Sequence, residues 1–315
     1  MLPSIYVRTM KDLMSYVVVL LLVAAIVVVC PLHAAAQGGL KVWPTWVELM
    51  VHRGEQAGKI IHVQNQGSES IAIRAYVMDF SIDREGNFVF SEPGHESYSA
   101  SRWLSVAETD FELAPGESQE VEVRLSAPSE VEPGGHYAAL FFEAIPSANQ
   151  GAVSISTRIP TLFYITVPGI TEAEVIANAD IASLVLPGFA GKGPVEAGVV
   201  VHNTGNVHLT VAAGVHFSAS LGGDSELDLG QAVILPNSEG VIKSNWQQAP
   251  FLGKVTANVV IGYLDEQGEL VNKSRTGEFW VVPWSMIGII VGVLGLVVPA
   301  KVIISKRYRL RVERK

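Results

Sequence analysis

The segment that decides the fold is Val121-Glu122-Val123-Arg124-Leu125, in which apolar and polar side chains alternate. Successive side chains of a β-strand point to opposite faces, so a period of two predicts a strand with one buried face. Turn residues recur every eight to twelve positions around it, and no segment of residues 37–279 keeps the 3.6-residue apolar period of an amphipathic helix. We therefore predict an all-β region over residues 37–279.

Three sequence blocks recur in the same order, which indicates an internal repeat. The matched pairs are Val63–Gly67 with Val201–Gly205, Leu113–Ser118 with Leu235–Ser238, and Gly135–Ala139 with Gly253–Ala257. The first pair shares Val-x-Asn-x-Gly, which is typical of a turn that tolerates left-handed backbone. Two copies of one β-sandwich are predicted, over residues 37–169 and 170–279, with chance similarity among β-rich segments as the alternative.

The C-terminal region combines a long uncharged segment with a basic tail. Residues 280–300 carry no charge, whereas residues 301–315 contain seven Lys or Arg and one Glu. As a helix, residues 280–300 would span about 31 Å, close to the roughly 30 Å hydrocarbon core of a bilayer. Because basic residues collect on the cytoplasmic side of spanning helices, we predict a single-pass plasma membrane protein with a cytoplasmic tail over residues 301–315. Trp280 and Trp284 are expected at the outer interface.

The N-terminus has the features of a signal peptide over residues 1–36. Arg8 and Lys11 precede an apolar run, and Ala34-Ala35-Ala36 supplies small residues for cleavage. An uncleaved signal anchor is the alternative. Cleavage would remove Cys30, the only cysteine, and leave an exported chain without disulfides, which favours a bacterial or archaeal source over an animal one. A lipid-modified Cys30 is a weaker alternative, because the branched Val29 precedes it.

The charge distribution excludes one class of function. Residues 37–279 contain 13 Lys or Arg against 29 Asp or Glu. Such an acidic exterior argues against binding to nucleic acid or to anionic lipid.

The turn blocks resemble those of immunoglobulin-like domains in bacterial surface proteins. With the leader, the two sandwiches, the C-terminal span and the basic tail, the layout resembles the WxL-interacting protein family. That resemblance implies a peptidoglycan-binding first sandwich, a host-matrix-binding second sandwich and WxL-type surface proteins as partners. The expected fold is two tandem immunoglobulin-like β-sandwiches followed by one transmembrane helix.

A narrower resemblance concerns Ser154–Tyr164. This stretch is similar to the last strand of the first domain in periplasmic pilus chaperones, which lends itself to a subunit's missing strand. Pro160 also fits a plain closing strand at a sheet edge. An open edge on the Ile155–Val167 strand would let a partner add a strand, and the candidate residues are Arg158, Leu162, Phe163 and Tyr164.

Aromatic residues supply the other candidate site. Trp43, Trp46 and Trp103 lie in the first sandwich, and exposed rings could stack on the sugars of a wall polysaccharide. Large aromatic residues more often pack into a core, and this alternative is strongest for Trp103.

Catalytic and metal-binding patterns are weak. The sequence contains no H-E-x-x-H, paired-Cys, G-x-S-x-G or Gly-rich phosphate pattern. No catalytic residue, metal or cofactor is therefore predicted. A catalytic pair or triad of residues that are far apart in the sequence and meet only in the folded chain stays an alternative. Asp79, Asp83, Glu85 and Asn87 could offer oxygens to Ca²⁺, but a polar hairpin explains them equally well.

These observations predict a non-enzymatic, membrane-anchored binding or adhesion module that recognises wall glycan or a surface protein. The alternatives are a strand-donating, chaperone-like assembly factor and a hydrolase with a dispersed site. Gly288 and Gly292 in the span would allow two helices to approach closely, which predicts a possible homodimer.

Overall fold

The structure, a computed structural model, describes residues 39–145, 156–170, 174–191 and 193–312. The signal peptide, Cys30 and residues 313–315 of the basic tail lie outside these residues. The first ten strands are β1 (Leu40–Trp43), β2 (Trp46–Met50), β3 (Gln56–Asn65), β4 (Ile71–Ile82), β5 (Phe88–Ser91), β6 (Leu104–Val106), β7 (Asp110–Leu113), β8 (Ser118–Ser126), β9 (Gly134–Ile145) and β10 (Thr157–Val167). The remaining eight are β11 (Ala179–Val185), β12 (Phe189–Ala190), β13 (Val195–Asn203), β14 (Leu209–Ala219), β15 (Gly223–Ile234), β16 (Glu239–Trp246), β17 (Gly253–Leu264) and β18 (Leu270–Val281).

Strands β1–β10 form the first sandwich. One sheet has the order β1-β3-β8-β6, and the other has the order β2-β10-β9-β4-β5 with β7 beside β4. The alternating segment that opened the sequence analysis is the middle of β8, where Val121, Val123 and Leu125 are buried. Their apolar faces meet those of the opposite sheet in one hydrophobic cluster, so the predicted strand and its buried face are confirmed.

Strands β11–β18 form the second sandwich with an equivalent arrangement. Its sheets have the orders β11-β13-β16 and β12-β18-β17-β14-β15, which match β1-β3-β8 and β2-β10-β9-β4-β5 strand for strand. In both sandwiches a short strand pairs in parallel with the last strand, β2 with β10 and β12 with β18. The chain is therefore mostly β-sheet, with immunoglobulin-like sandwiches related by the repeat seen in the sequence.

The repeated Asn residues perform the same structural task in each copy. Asn65 and Asn203 are both fully buried. Each side-chain oxygen accepts a hydrogen bond from the N–H two residues later, and each amide nitrogen donates to carbonyls of a distant connection, including Leu113 O at 3.1 Å for Asn65 and Ile234 O at 2.8 Å for Asn203. One side chain thus closes a turn and fastens it to a second segment.

The conformation of the repeated turns differs partly from the expectation. Left-handed backbone occurs in the second repeated block, at Gly116 and at Asn237 after their prolines, rather than at Gly205. Gly205 is needed for another reason, because an added Cβ would overlap the carbonyl oxygen of Ile176. Close backbone approach therefore explains this Asn-x-Gly glycine.

The chain ends in helix α1 (Trp284–Val312). Its segment Trp284–Ile304 is long and apolar enough to cross a bilayer, and it is the only such helix among the described residues. The expected start at Trp280 is wrong: Trp280 and Val281 form the end of β18, because the alternation that buries Phe279 and Val281 continues until Pro283. Gly288 and Gly292 have open space around them, and dimerisation stays a prediction.

Candidate functional site

Strand β10 has an open half. Strand β2 pairs with Leu162–Thr166, whereas Thr157–Thr161 pair only with β9 among the described residues. We call Thr157–Thr161 the open edge; at about 3.3 Å per residue it is roughly 16 Å long. Among the described residues, the half of β10 that precedes Leu162 therefore has one strand neighbour, β9.

The open edge exists because the first strand changes sheets. Strand β1 pairs with β3 in one sheet, and after Pro44 and Thr45 the chain continues as β2 in the other. The buried Thr161 hydroxyl donates to Pro44 O at 2.9 Å, and Leu162 N donates to Thr45 O at 2.9 Å. These two bonds fix where β2 begins, and therefore where the open edge ends.

The backbone groups of the open edge follow from the strand's alternation. Leu162 N and Thr166 O bond to the β2 side, so the even-numbered residues of β10 direct their N–H and C=O groups away from β9. The open edge therefore presents the N–H and C=O of Arg158 and the C=O of Pro160. Because Pro160 has no N–H, its nitrogen faces outward without costing β9 a hydrogen bond.

The outer face beside the open edge is apolar and aromatic. The Arg158 guanidinium lies 5.1 Å from the ring centroid of Phe141. Strand β2 pairs in parallel with β10 and places Trp46 opposite Leu162. Trp46 and Met50 lie on this same face, and their side chains are 57% and 71% exposed. A strand added at the open edge would therefore meet a cation at one end and an exposed indole at the other.

Two edges of the second sandwich are protected. In the second sandwich, the Arg275 guanidinium donates to the carbonyls of Ile181 and Ala182, and Lys273 pairs with Asp180, so side chains join β18 to β11 where β12 does not reach. Edge strand β15 carries exposed carboxylates at Asp224 and Asp228, which discourage pairing with another chain. The open edge of β10 is the better candidate.

The structure separates the predicted aromatic site. Trp43 is half-buried and stacks on His62 with a centroid distance of 5.0 Å, and Trp103 packs against the core with its ring 4.5 Å from that of His136. Among the described residues no ring contact joins any two of the three tryptophans. Only Trp46 offers a largely free ring, beside the open edge.

The predicted strand edge is corrected at three residues. Leu162, Phe163 and Tyr164 have β9 on one side and β2 on the other, because the sheet switch brings β2 beside them. They therefore have no free backbone edge. Arg158 lies on the open edge, and Ile155 lies outside the described residues.

A cluster on the same sheet face joins the two sandwiches. Tyr137 and Tyr164 of the first sandwich surround His208 of the second; the Tyr164 and His208 rings are 4.7 Å apart, and Tyr137 Oη lies 3.4 Å from His208 Nδ1. Leu235 of the second sandwich joins the same buried cluster, which extends to Phe141 under Arg158. We call this cluster the joint.

Polar contacts fix the rim of the joint. Gly135 N donates to Asn206 O at 2.7 Å, and Val241 N donates to Arg84 O at 2.8 Å. The Arg84 side chain also pairs with Glu239 at 3.5 Å, an exposed contact of small energetic value. The joint therefore rests on these two backbone bonds and on the buried aromatic rings. The sequence analysis missed the joint, since His208 and Tyr137 are 71 residues apart and neither lies in a chemical motif.

Burial sets the protonation of the joint. It lowers the pKa of His208, against the opposing effect of the Glu48 carboxylate 3.7 Å away, and raises the pKa of Tyr164 to about 12. Burial likewise lowers the pKa of His136, against the carbonyl of Glu132. Both imidazoles are therefore held neutral by their surroundings.

We expect acid to destabilise the folded chain, through His208 in the joint and through His136, which packs against Trp103 in the first sandwich. Below the unfolded histidine pKa of 6.5, the unfolded chain takes up protons that folded His208 and His136 still refuse, so stability is lost as the pH falls from 6.5 toward their lower folded values. The thermal midpoint should drop between about pH 7.5 and pH 5.5, and His208→Gln should weaken the dependence. His52→Gln, at an exposed position, is the control; an unchanged pH dependence in His208→Gln would refute the assignment.

The described residues hold no group of three or more His, Cys, Asp or Glu side chains suited to a metal ion. Asp83 accepts hydrogen bonds from Asn87 N and Nδ2 across its hairpin, so the polar hairpin accounts for its carboxylate. Asp79 is buried, which acts to raise its pKa, but bonds from Ser101, Ser99 and the Glu96 backbone outweigh burial and lower it. These carboxylates have structural partners within the sandwich.

The solved structures to which the chain is similar include fimbrial chaperones. A chain from the chaperone–tip adhesin complex of CFA/I fimbriae shares 15% identity at a TM-score of 0.40, over 78% of this chain and 99% of its own. The YadV chaperone shares 10% identity at a TM-score of 0.41, and the match covers 76% of this chain and 99% of the chaperone. A chain of the CsuC–CsuE chaperone–tip subunit complex from Acinetobacter baumannii shares 15% identity at a TM-score of 0.36. That match covers 64% of this chain and 89% of the other.

Likenesses this weak assign neither a family nor a partner. The three structures are a fimbrial chaperone and two chaperone–subunit complexes, and the narrower resemblance of Ser154–Tyr164 is also to pilus chaperones. None of the three is a WxL-interacting protein. No protein-family model matches the chain, and no curated protein matches it.

Proposed function

We propose that this chain is a membrane-tethered assembly factor that holds an extended segment of a surface-protein subunit as an added strand on β10. The observation that carries the proposal is the open edge: among the described residues, Thr157–Thr161 pair only with β9, whereas β2 closes the other half of β10. Strand addition to an exposed edge is a general mode of peptide recognition.

The energetics favour weak, reversible binding of the added segment. The outward groups of Arg158 and Pro160 offer three backbone hydrogen bonds, each with a net value of about 0.5–1.5 kcal/mol. That total falls well short of the roughly 8 kcal/mol of a micromolar complex. Contacts with Trp46 and Met50, at about 25 cal/mol per Å² of apolar area buried, would have to supply the rest. A holder of this kind can release its segment during assembly.

The tethering part of the proposal rests on the C-terminus. Helix segment Trp284–Ile304 has the length and composition of a span, and the basic residues after it favour a cytoplasmic tail. The two sandwiches would then act as tandem immunoglobulin-like domains outside the plasma membrane, with the first one farther from it. We propose a surface-protein subunit as the partner class, and two of the structures named above are complexes of a chaperone with a tip adhesin subunit.

Two proline substitutions test the open edge. Arg158→Pro removes the outward N–H and should leave the β9 ladder intact, whereas Ile159→Pro removes an N–H that faces β9. With a photo-crosslinking residue at Thr157 in the source cells, we expect Arg158→Pro to reduce partner adducts about tenfold, a loss near 1.4 kcal/mol. The unfolding free energy of Arg158→Pro should stay within about 0.5 kcal/mol of that of the unchanged chain. The unfolding free energy of Ile159→Pro should fall by about 1–3 kcal/mol.

The controls separate backbone from side-chain effects. Arg158→Ala keeps the N–H and should bind better than Arg158→Pro, and a crosslinker at the exposed Ser274 should give no common adduct. Equal adduct yields from Arg158→Pro and the unchanged chain would refute strand addition. Sedimentation with cell-wall sacculi that depends on Trp46 but not on Arg158 would instead support the adhesion interpretation.

A further inference from the structure

The second sandwich is joined to α1 almost without a linker. Strand β18 ends at Val281 and α1 begins at Trp284, so only two residues separate them. Val282 N donates to Ala190 O at 2.8 Å, and Pro283 O accepts from Met286 N and Ile287 N at 3.0 and 3.1 Å. The connection is thus bonded to β12 on one side and to the first helical turn on the other. At about 3.5 Å per residue, the sandwich can stand no more than roughly 10 Å from the helix start.

The end of the sandwich beside α1 carries exposed large apolar side chains from separate loops. Their exposed fractions are 65% for Phe189, 60% for Leu221, 50% for Phe251, 42% for Leu252 and 48% for Trp280. We call these five residues the apolar tip.

Pairing in the sheet brings the loops of the apolar tip to one end. Trp280 pairs with Phe189 on one side and with Lys254 on the other. Ser220, next to Leu221, exchanges hydrogen bonds with Lys254, which follows Leu252 and Gly253. The tip is therefore a feature of the folded sheet rather than of scattered loops.

The apolar tip is also free of charge. Residues 186–191, 219–223, 247–252 and 280–284 contain no Asp, Glu, Lys or Arg, although residues 37–279 hold 29 acidic side chains. The nearest charges along the sheet are the pair Lys254–Glu278, with Nζ 2.7 Å from the carboxylate, and the exposed Asp224, whose carboxylate accepts a hydrogen bond from Ser218 Oγ. An uncharged, aromatic end is out of place on an acidic soluble surface.

We propose that the apolar tip lies in the outer interfacial layer of the membrane, so that the second sandwich is docked onto the lipid surface. Tryptophan prefers this layer, where its apolar ring can be buried while its polar N–H stays wet. Phenylalanine and leucine insert their side chains at the same boundary in interfacial helices. The inference rests on the proposed membrane tether, which brings the tip to the lipid through a two-residue connection. Docking would hold the sandwich upright, with the joint about one 12-residue strand, or roughly 40 Å, above the membrane.

Matched single-cysteine labels test this placement. Cys30→Ser full-length protein is reconstituted in phosphatidylcholine–phosphatidylglycerol liposomes and labelled with the fluorophore NBD at Leu221→Cys or Leu264→Cys. These leucines are 60% and 58% exposed, but Leu264 ends β17 at the opposite end of the sheet. A label at Val293→Cys in α1 reports the span itself.

We expect the label at 221 to show blue-shifted emission and quenching by nitroxide lipids, as at 293, and the label at 264 to behave as in water. Adding Phe251→Glu and Leu252→Glu should return the 221 label to water-like emission. A water-like 221 label with a lipid-exposed 293 label would overturn tip docking and leave the tether standing. A water-like label at 293 would overturn both.

Discussion

Asn203→Ala is expected to lower the free energy of unfolding by about 3–5 kcal/mol, and Asn65→Ala by a similar amount. Each asparagine is fully buried and bonds at both ends of its amide. In Asn203→Ala the carbonyl oxygens of Val207 and Ile234 lose the amide donor, while Gly205 N keeps its bond to Asn178 O. In Asn65→Ala three carbonyl oxygens and Gly67 N lose their bond to the side chain, although Ala114 O still accepts from Glu117 N. A buried polar group without a partner costs about 1–3 kcal/mol, and two such groups exceed the value of any single exposed contact.

Urea unfolding of the two variants, with Asn245→Ala as the control, measures this effect. Asn245 is an exposed strand asparagine in β16, so its replacement should change the unfolding free energy by less than about 0.5 kcal/mol. Losses below about 1 kcal/mol in Asn65→Ala and Asn203→Ala would show that solvent replaces the bonds. Equal losses in both variants would show that the repeat conserves an energetic role as well as a turn.

The repeat was predictable because its signals are local. Asn65 and Asn203 each stand two residues before a glycine, and each block precedes a strand with period two. These patterns depend on neighbouring residues, so they can be read without knowing which strands pair. The matched sheet orders follow once both copies fold in the same way.

The position of the open edge could not be read in this way. Whether Leu162 or Arg158 is free depends on where β2 begins, and the deciding bond joins Thr161 to Pro44, 117 positions away. A sequence pattern indicates that β10 is a strand, but not which half of it acquires a second neighbour. The helix start was missed for a related reason, because Trp280 and Val281 are as apolar as the span and only β-pairing assigns them to β18.

Tyr137→Ala is expected to separate the unfolding of the two sandwiches and to cost about 3–5 kcal/mol. Tyr137 is 1% exposed, and its ring makes edge contacts with Phe80, Tyr98, Tyr164 and His208. Removing a buried aromatic ring costs its transfer free energy and leaves a cavity among the remaining rings. Because this cavity would lie where Leu235 of the second sandwich meets the first, the loss falls on the contact between sandwiches.

Differential scanning calorimetry distinguishes this loss from a general weakening. The unchanged chain should unfold its sandwiches together if the joint couples them, whereas Tyr137→Ala should give two transitions, the earlier one from the first sandwich, which contains the cavity. Tyr137→Phe is the matched control, since it removes only the hydroxyl that lies 3.4 Å from His208 and should cost no more than about 1 kcal/mol. A single transition in Tyr137→Ala, shifted no more than in Tyr137→Phe, would mean that the rim bonds at Gly135 and Val241 couple the sandwiches instead.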